Sequence, residues 1–400
     1  MSLDRNRRRV LKGLAATGAV AAAGIFTPAR FAIGQTAKLK VGIMLPYTGT
    51  YAALGKNIDD AFRLAINEKG GKLGGREIEY VVVDDEAEPP KGPANANKLV
   101  SRDKVDIMVG TVHSGVQMAM VKAAADNDLI LMMPNAGVNA ATRELCNPNF
   151  FRCSFSNWQP AFAAGKVAAS EGKKRAVVIS WDYAAGKEST GGFADAFTGA
   201  GGTTLVKELF LPFPQVEFQA LLTEIASLNP DVVYAFFAGG GAVKFVKDYA
   251  AAGLKNKISL IGPGFLTDGT LEAQGESAQG LETTLHYADG LDNPKDKAFR
   301  EAFKKATGRD ADVYAVQGYD TGQLLVAGMA AVKGDLKARK ELIAAMEKTT
   351  IDSPRGKFTL SKAHNPVQDF YLRKVVGLDN RYVSVAVKAL ADPATGCKLI

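Results

Sequence analysis

Between residues 105 and 138 the chain carries two short, continuously apolar runs, VDIMVG and LILMMP. Each ends in a small-residue loop, and one helix-length segment separates them. Runs with no polar alternation belong in a parallel sheet covered on both faces. In the intervening segment Val116, Met120, Ala123 and Ala124 recur at helical spacing, which predicts a helix with one face on that sheet. A strand–helix–strand unit of this kind puts the loops TVHSG (111–115) and NAGV (135–138) at the carboxyl ends of neighbouring strands. In open α/β sheets that edge is where ligands bind.

The same alternation extends in both directions. LKVGIMLP at 39–46 reads as a first strand, and an apolar stripe of Ala53, Ile58, Ala61, Phe62, Ala65 and Ile66 follows until Gly70 and Gly71 stop it. Residues 76–84 read as a second strand and 95–102 as a helix. After an extended piece at 151–155 and a helix over 161–169, a second series begins. Its strands fall at 175–180, 204–210, 231–237 and 257–261, each followed by a helix or a glycine-rich turn. Each strand–helix–strand link is expected to be a crossover in a parallel sheet. The last third differs: helices over 295–307, 315–332 and 336–348, then short strands at 356–360, 370–376 and 381–388. These extra elements are expected to return to the first lobe and then re-enter the second, which makes a hinge and a cleft.

The first 34 residues read as an address. Arg7-Arg8-Arg9-Val10-Leu11-Lys12 matches the twin-arginine export pattern, an Ala/Gly-rich segment follows, and Ala32-Ile33-Gly34 suits cleavage. The apolar stretch is too short and too rich in Ala and Gly for a good membrane span. This segment holds Arg5, Arg7, Arg8, Arg9, Lys12 and Arg30 against Asp4, so the full-chain charge of +7 falls to +2 without it. The remainder is nearly neutral and has no basic stripe with interleaved aromatics, so nucleic acid is not an expected partner. For Cys146 and Cys153 two readings stand, a disulfide in an oxidising compartment or two unrelated thiols, with Cys397 left over.

Catalytic chemistry is poorly represented. Three histidines, His113, His286 and His364, form no paired zinc pattern, and neither a G-x-S-x-G elbow nor a Walker A motif occurs. The first strand-to-helix turn lacks G-x-G-x-x-G, so no cofactor is implied. Adjacent His113 and Ser114 have no orienting acid, and they read as cleft wall rather than as a nucleophile pair. The run Asp84-Asp85-Glu86 reads as a solvated strand end in preference to a metal site. Gly239-Gly240-Gly241 reads as a tight turn into a helix in preference to an anion cradle.

The segment LKVGIMLPYTGTYAALGKNIDDAFRLAINEKGGKLGGREIEYVVVDDE, the loops VGTVHSG and MMPNAGV, and DVVYAFFAGGGAVKFVKDYAAAGL together resemble the leucine/isoleucine/valine-type solute-binding proteins of ABC importers. The resemblance covers essentially the whole chain after the signal. It implies a type I periplasmic-binding fold: two doubly wound parallel-sheet lobes, 38–155 plus 287–353 and 156–286 plus 354–392, joined by three crossings near Ser156, His286 and Ser353. It also implies membrane permease subunits as partners, a monomer in the periplasm, and no enzymatic activity. By the same resemblance a ligand carboxylate would be held by Ser114 beside His113, with Asn135, Ala136 and Gly137 as the amide-bearing loop. Amino-acid binders of this type carry an acid at the start of the helix after DVVY, where this chain has Ala238-Gly239-Gly240-Gly241-Ala242. An unpaired buried ammonium is costly, although Asp182 or Asp268 could replace that acid. Trp158, Tyr183, Phe236, Phe237 and Phe265 fall at or near the expected cleft edges. The missing acid and these rings resemble the branch that binds aromatic carboxylates such as benzoate or hydroxycinnamate derivatives. The alternatives are a branched-chain or other amino-acid carrier of the same fold and a periplasmic ligand sensor.

Overall fold

The computed structural model describes residues 37–400. The signal segment and its cleavage site lie outside the described residues.

The first sheet contains β1 (Leu39–Leu45), β2 (Ile78–Asp84), β3 (Ile107–Gly110), β4 (Ile130–Met133) and β5 (Phe150–Arg152) in the order β2-β1-β3-β4-β5, and all four pairings are parallel. The pleat sorts its side chains between two cores. Leu39, Val41, Ile43 and Leu45 join the core that also contains Ile58 and Phe62 of α1 (Ala52–Asn67). Met44 and Met108 face the other way, into a second core with Ala96 of α2 (Gly92–Asn97) and Val116, Met120, Ala123 and Ala124 of α3 (Ser114–Asp126). The helix expected over 95–102 thus begins earlier and ends in a π-helical turn at Lys98–Arg102.

The second sheet repeats this layout. After α4 (Trp158–Ser170) come β6 (Arg175–Trp181), α5 (Ala184–Thr198), β7 (Thr204–Leu211), α6 (Gln219–Leu228), β8 (Val232–Phe236), α7 (Gly239–Ala251), β9 (Ser259–Pro263), the short α8 (Leu271–Gln274) and β10 (Glu282–Leu285). The parallel part runs β7-β6-β8-β9-β10, the same order of strands as in the first sheet. Strand β10 has no counterpart among the expected strands, because ETTL is short and mostly polar. The chain then leaves this sheet through α9 (Pro294–Thr307), α10 (Val313–Ala331) and α11 (Arg339–Lys348). Asn293 and Asp312 cap the first two of these by accepting the N–H of Lys295 and Ala315. Helix α10 lies against α1 of the first lobe, and Gly318 and Gly322 let the two backbones approach closely at Ile58 and Phe62. The chain finally returns to the second sheet as β11 (Thr359–Leu360), β12 (Pro366–Val376) and β13 (Asp379–Leu390), with antiparallel pairings that close its edge. Three passages between the lobes result.

The cysteines pair otherwise than their spacing suggests. Cys146 is bonded to Cys397, with Cα atoms 5.4 Å apart, while Cys153 is a buried free thiol. Cys153 follows directly on β5, its N–H is held by the Met133 carbonyl, and its side chain is part of the buried core. The C-terminal tail brings Cys397 back instead, anchored on the way by a two-point Arg143–Asp392 ion pair.

Candidate ligand-binding cleft

Both sheets reverse direction of winding at the same place, between β1 and β3 in the first and between β6 and β8 in the second. A crevice opens at the carboxyl ends of strands at such a switch point. The loops following these strands face one another across a cavity with about 320 Å³ of atom-free space, part of it open to solvent. The lobes meet over it: the Tyr51 and Tyr183 hydroxyls lie 3.1 Å apart, and Gly239 packs against the Thr50 carbonyl.

One wall is polar. Ser114 opens the 13-residue helix α3 and is 1 % exposed. His113 caps that helix, its Nδ1 accepting the Gly115 N–H at 3.0 Å. The imidazole proton is therefore on Nε2, and burial lowers the pKa of the ring to about 4. His113 is thus a neutral cap stacked on Tyr183 at 4.5 Å, and its Nδ1 is turned to the backbone rather than to Ser114. Ser114 Oγ accepts from Asn157 Nδ2 at 3.3 Å, which leaves the Ser114 hydroxyl proton to donate elsewhere. A helix N-terminus and a hydroxyl donor together favour an anion. Asn135 and Gly137 complete this wall, whereas the Ala136 N–H is held by the Thr111 carbonyl at 2.9 Å. Gly137 has no room for a side chain, since a Cβ there would overlap Phe155 and Asn157.

Charge beneath the wall has the matching sign. Arg152 is fully buried and donates to the carbonyls of Gly137 (3.5 Å) and Val138 (2.5 Å) and to Asn365 (3.1 Å). Buried Arg355 and Arg373 are paired with Asp320 and Asp268, but no carboxylate lies within ion-pair distance of Arg152 among the described residues. Burial lowers the pKa of Arg152 to about 10, which still leaves it charged at neutral pH. The acids expected at a solvated strand end are in fact braces for these loops. Asp84 accepts from the Tyr47 N–H and the Thr48 hydroxyl, and fully buried Asp85 accepts from Thr111 Oγ1.

The opposite wall is aromatic. Tyr183, Phe236 and Phe265 line the cavity together with Tyr51, Phe155 and Tyr314. Tyr314, on α10, is 1 % exposed and its hydroxyl has no hydrogen-bond partner among the described residues. Two of the expected aromatics lie elsewhere. Phe237 packs against Trp181, Phe218 and Phe245 within the second lobe, and Trp158 stacks on Phe162 with its Nε1 donating to Asp195. A strand's alternation explains the first: Phe236 and Phe237 point to opposite sides, so only one reaches the cleft.

The acid-free turn after β8 has a steric basis. A side chain at Gly241 would overlap the Trp181 indole, and Gly239 has φ +53° with the Thr50 carbonyl against it. Of the two acids that might have substituted, Asp268 is bound to Arg373 at 2.7 Å and Asp182 to Lys187 at 2.7 Å, and neither lines the cavity.

Several residues at the site carry no mark in the sequence. Tyr51 was legible in principle, because it follows the first strand. Tyr314 lies on a helix buried on nearly every side, with no apolar stripe to single it out, and arrives only through the return crossing. Asn157 sits at a crossing, and Phe213, on the loop after β7, covers Tyr51, His113 and Tyr183 at ring distances of 4.8–5.5 Å.

Two α/β lobes closed over a small cavity at their strand ends define a ligand-binding protein of the periplasmic-binding class. The chain belongs to the periplasmic binding protein family, whose model matches residues 38–380. Leu/Ile/Val-binding protein homolog 6 of Brucella melitensis is 30% identical over 349 residues, covering 86% of this chain and 88% of that one. A solute-binding protein of an ABC transporter from R. palustris, solved in complex with benzoate, is 52% identical with a TM-score of 0.88, over 90% of this chain and 100% of the other. A second, from Rhodopseudomonas palustris BisB5 in complex with 3,4-dihydroxybenzoic acid, is 31% identical with a TM-score of 0.83, over 89% and 99%. The family is one of solute binders rather than enzymes.

Proposed function

We propose that this protein is the exported, solute-capturing subunit of an ABC importer and that its ligand is a small aromatic carboxylate of the benzoate or hydroxycinnamate kind. The observation that carries the reading is the wall at 238–241. At Gly239 and Gly241 the backbone packs so closely on Thr50 and Trp181 that a side chain has no room, and the Ala-Gly-Gly-Gly run brings no carboxylate to pair with an amino-acid ammonium. Opposite it, Ser114, the start of α3 and the Arg152 charge favour an anion, and the rings between them suit an aromatic body. The relatives solved with benzoate and dihydroxybenzoate support the same class.

In this mechanism the carboxylate docks first on Ser114 and the loop of Asn135 and Gly137. The second lobe, 156–286 plus 354–392, then closes Tyr183, Phe236 and Phe265 over the ring against the first, 38–155 plus 287–353. Closure presents both lobes to the permease subunits and so reports occupancy. Export to the periplasm, as a monomer cleaved near Gly34, completes the proposal, and the Cys146–Cys397 disulfide supports the export alone, since it needs an oxidising compartment.

The Leu/Ile/Val-binding relatives favour a branched-chain amino acid as the second reading. A thermal-shift and calorimetric panel of benzoate, 4-hydroxybenzoate, 4-hydroxycinnamate, leucine and glutamate separates the two, because a ligand specific to the folded form raises its midpoint. Stabilisation by leucine and by no aromatic acid refutes the proposal.

A further inference from the structure

Glu188, on α5 of the second lobe, reaches across the cleft. Its Oε2 accepts the Asn139 backbone N–H at 3.0 Å, and Asn139 belongs to the first-lobe loop that follows β4. The same oxygen accepts Asn157 Nδ2 at 2.7 Å, and Asn157 stands at the first crossing between the lobes. The other proton of that amide goes to Ser114 Oγ at 3.3 Å, while the Asn157 N–H is held by the Gly137 carbonyl at 2.7 Å. One carboxylate oxygen thus ties together the closing lobe, the crossing, the 137–139 loop and the hydroxyl read above as the ligand anchor. Arg152 holds the same loop from the other side through the Gly137 and Val138 carbonyls. The Asn139 contact joins the second lobe to a loop of the first, so opening the cleft would have to break it.

We propose that Glu188 is the positioning residue that latches the second lobe onto the carboxylate-holding loops, acting through Asn157 to fix Ser114 Oγ as an acceptor so that its proton is free for the ligand. The inference deepens the proposed function and rests on Ser114 as the anchor. Glu188 does not itself line the cavity, and its role requires an acceptor oxygen at this place rather than a negative charge. A buried N–H deprived of its acceptor opens readily, and an amide side chain in place of the carboxylate keeps the acceptor.

The test compares the wild-type protein with Glu188→Ala and Glu188→Gln. Stopped-flow fluorescence with benzoate gives association and dissociation rates, and hydrogen exchange of the segment containing the Asn139 amide is followed with and without benzoate. The latch predicts a dissociation rate about tenfold faster in Glu188→Ala with association changed less than twofold, and recovery to within threefold in Glu188→Gln. Asn139 protection is lost in the alanine variant and kept in the glutamine one. Equal exchange at Asn139 in all three proteins overturns the latch, as does a glutamine variant that fails like alanine. If wild-type protein binds no benzoate, the ligand reading falls by itself, and the exchange comparison is run with whichever compound of the ligand panel raises the melting midpoint, whose closed complex decides the latch.

Discussion

Replacing Ser114 by alanine deletes one oxygen from the polar wall and little else. The side chain is 1 % exposed, and among the described residues its only partner is Asn157 Nδ2, which retains Glu188 Oε2 when Ser114 Oγ is gone. Neither the His113 cap nor the backbone of α3 depends on the hydroxyl. The loss should therefore fall on the ligand. A hydrogen bond to a charged group is worth about 1.5–3 kcal/mol, and the helix N-terminus and the loop amides recover part of it. The net cost comes to about 1–2 kcal/mol, or roughly a five- to thirtyfold rise in Kd for benzoate. Titration calorimetry measures it directly, and urea unfolding without ligand should move by less than about 1 kcal/mol. A neutral isostere, benzamide, should lose less than the acid, because only the acid makes a charge-assisted bond. Unchanged benzoate affinity, or an equal loss for acid and amide, would refute the assignment of the anion to this wall.

Tyr314→Phe removes a buried hydroxyl without a partner among the described residues, so urea unfolding without ligand should show a gain of up to about 1 kcal/mol. Benzoate affinity should hold within threefold, and a larger drop would place the ligand's polar group at Tyr314. His113 has a pKa lowered to about 4 by burial, against about 6.5 when unfolded. Its contribution is fully present above pH 6.5 and is lost as pH falls through 4, amounting to about 3 kcal/mol of unfolding free energy. An imidazole NMR resonance for His113 that titrates near pH 6 contradicts this. Reducing the Cys146–Cys397 bond reopens a loop spanning 251 residues, which chain entropy values at up to about 5 kcal/mol, less whatever local fraying of the tail recovers. Thermal melts of Cys397→Ser against wild type, with and without reductant, measure the difference, and a reductant effect in the variant itself would show that the bond is not the cause.

The elements were legible where the chain has one simple environment. Strands buried on both faces, such as IMVG and ILMM, have nothing but apolar residues, and α1 carries its stripe openly. Strand β10, with two buried threonines satisfied only by the folded structure, gave no such signal. The cleft was half legible for the same reason. Loops directly after strands announce themselves, as at Ser114, Asn135, Gly137, Tyr183 and Phe265. Which of two successive residues faces the cavity depends on the pleat, and this separates Phe236 from Phe237.

The sequence by itself determined that two α/β lobes would face each other across strand-end loops, and that one turn would lack an acid. Periodicity and small residues are local properties, readable without knowing what lies opposite. Only the tertiary structure decided what fills the glycine turn, which cysteine finds Cys146, and that Tyr314, Glu188 and Arg152 converge on one site. Those residues come from segments far apart in the chain, joined by crossings between the lobes. Their roles arise from burial and hydrogen bonding that exist only once those segments have packed together.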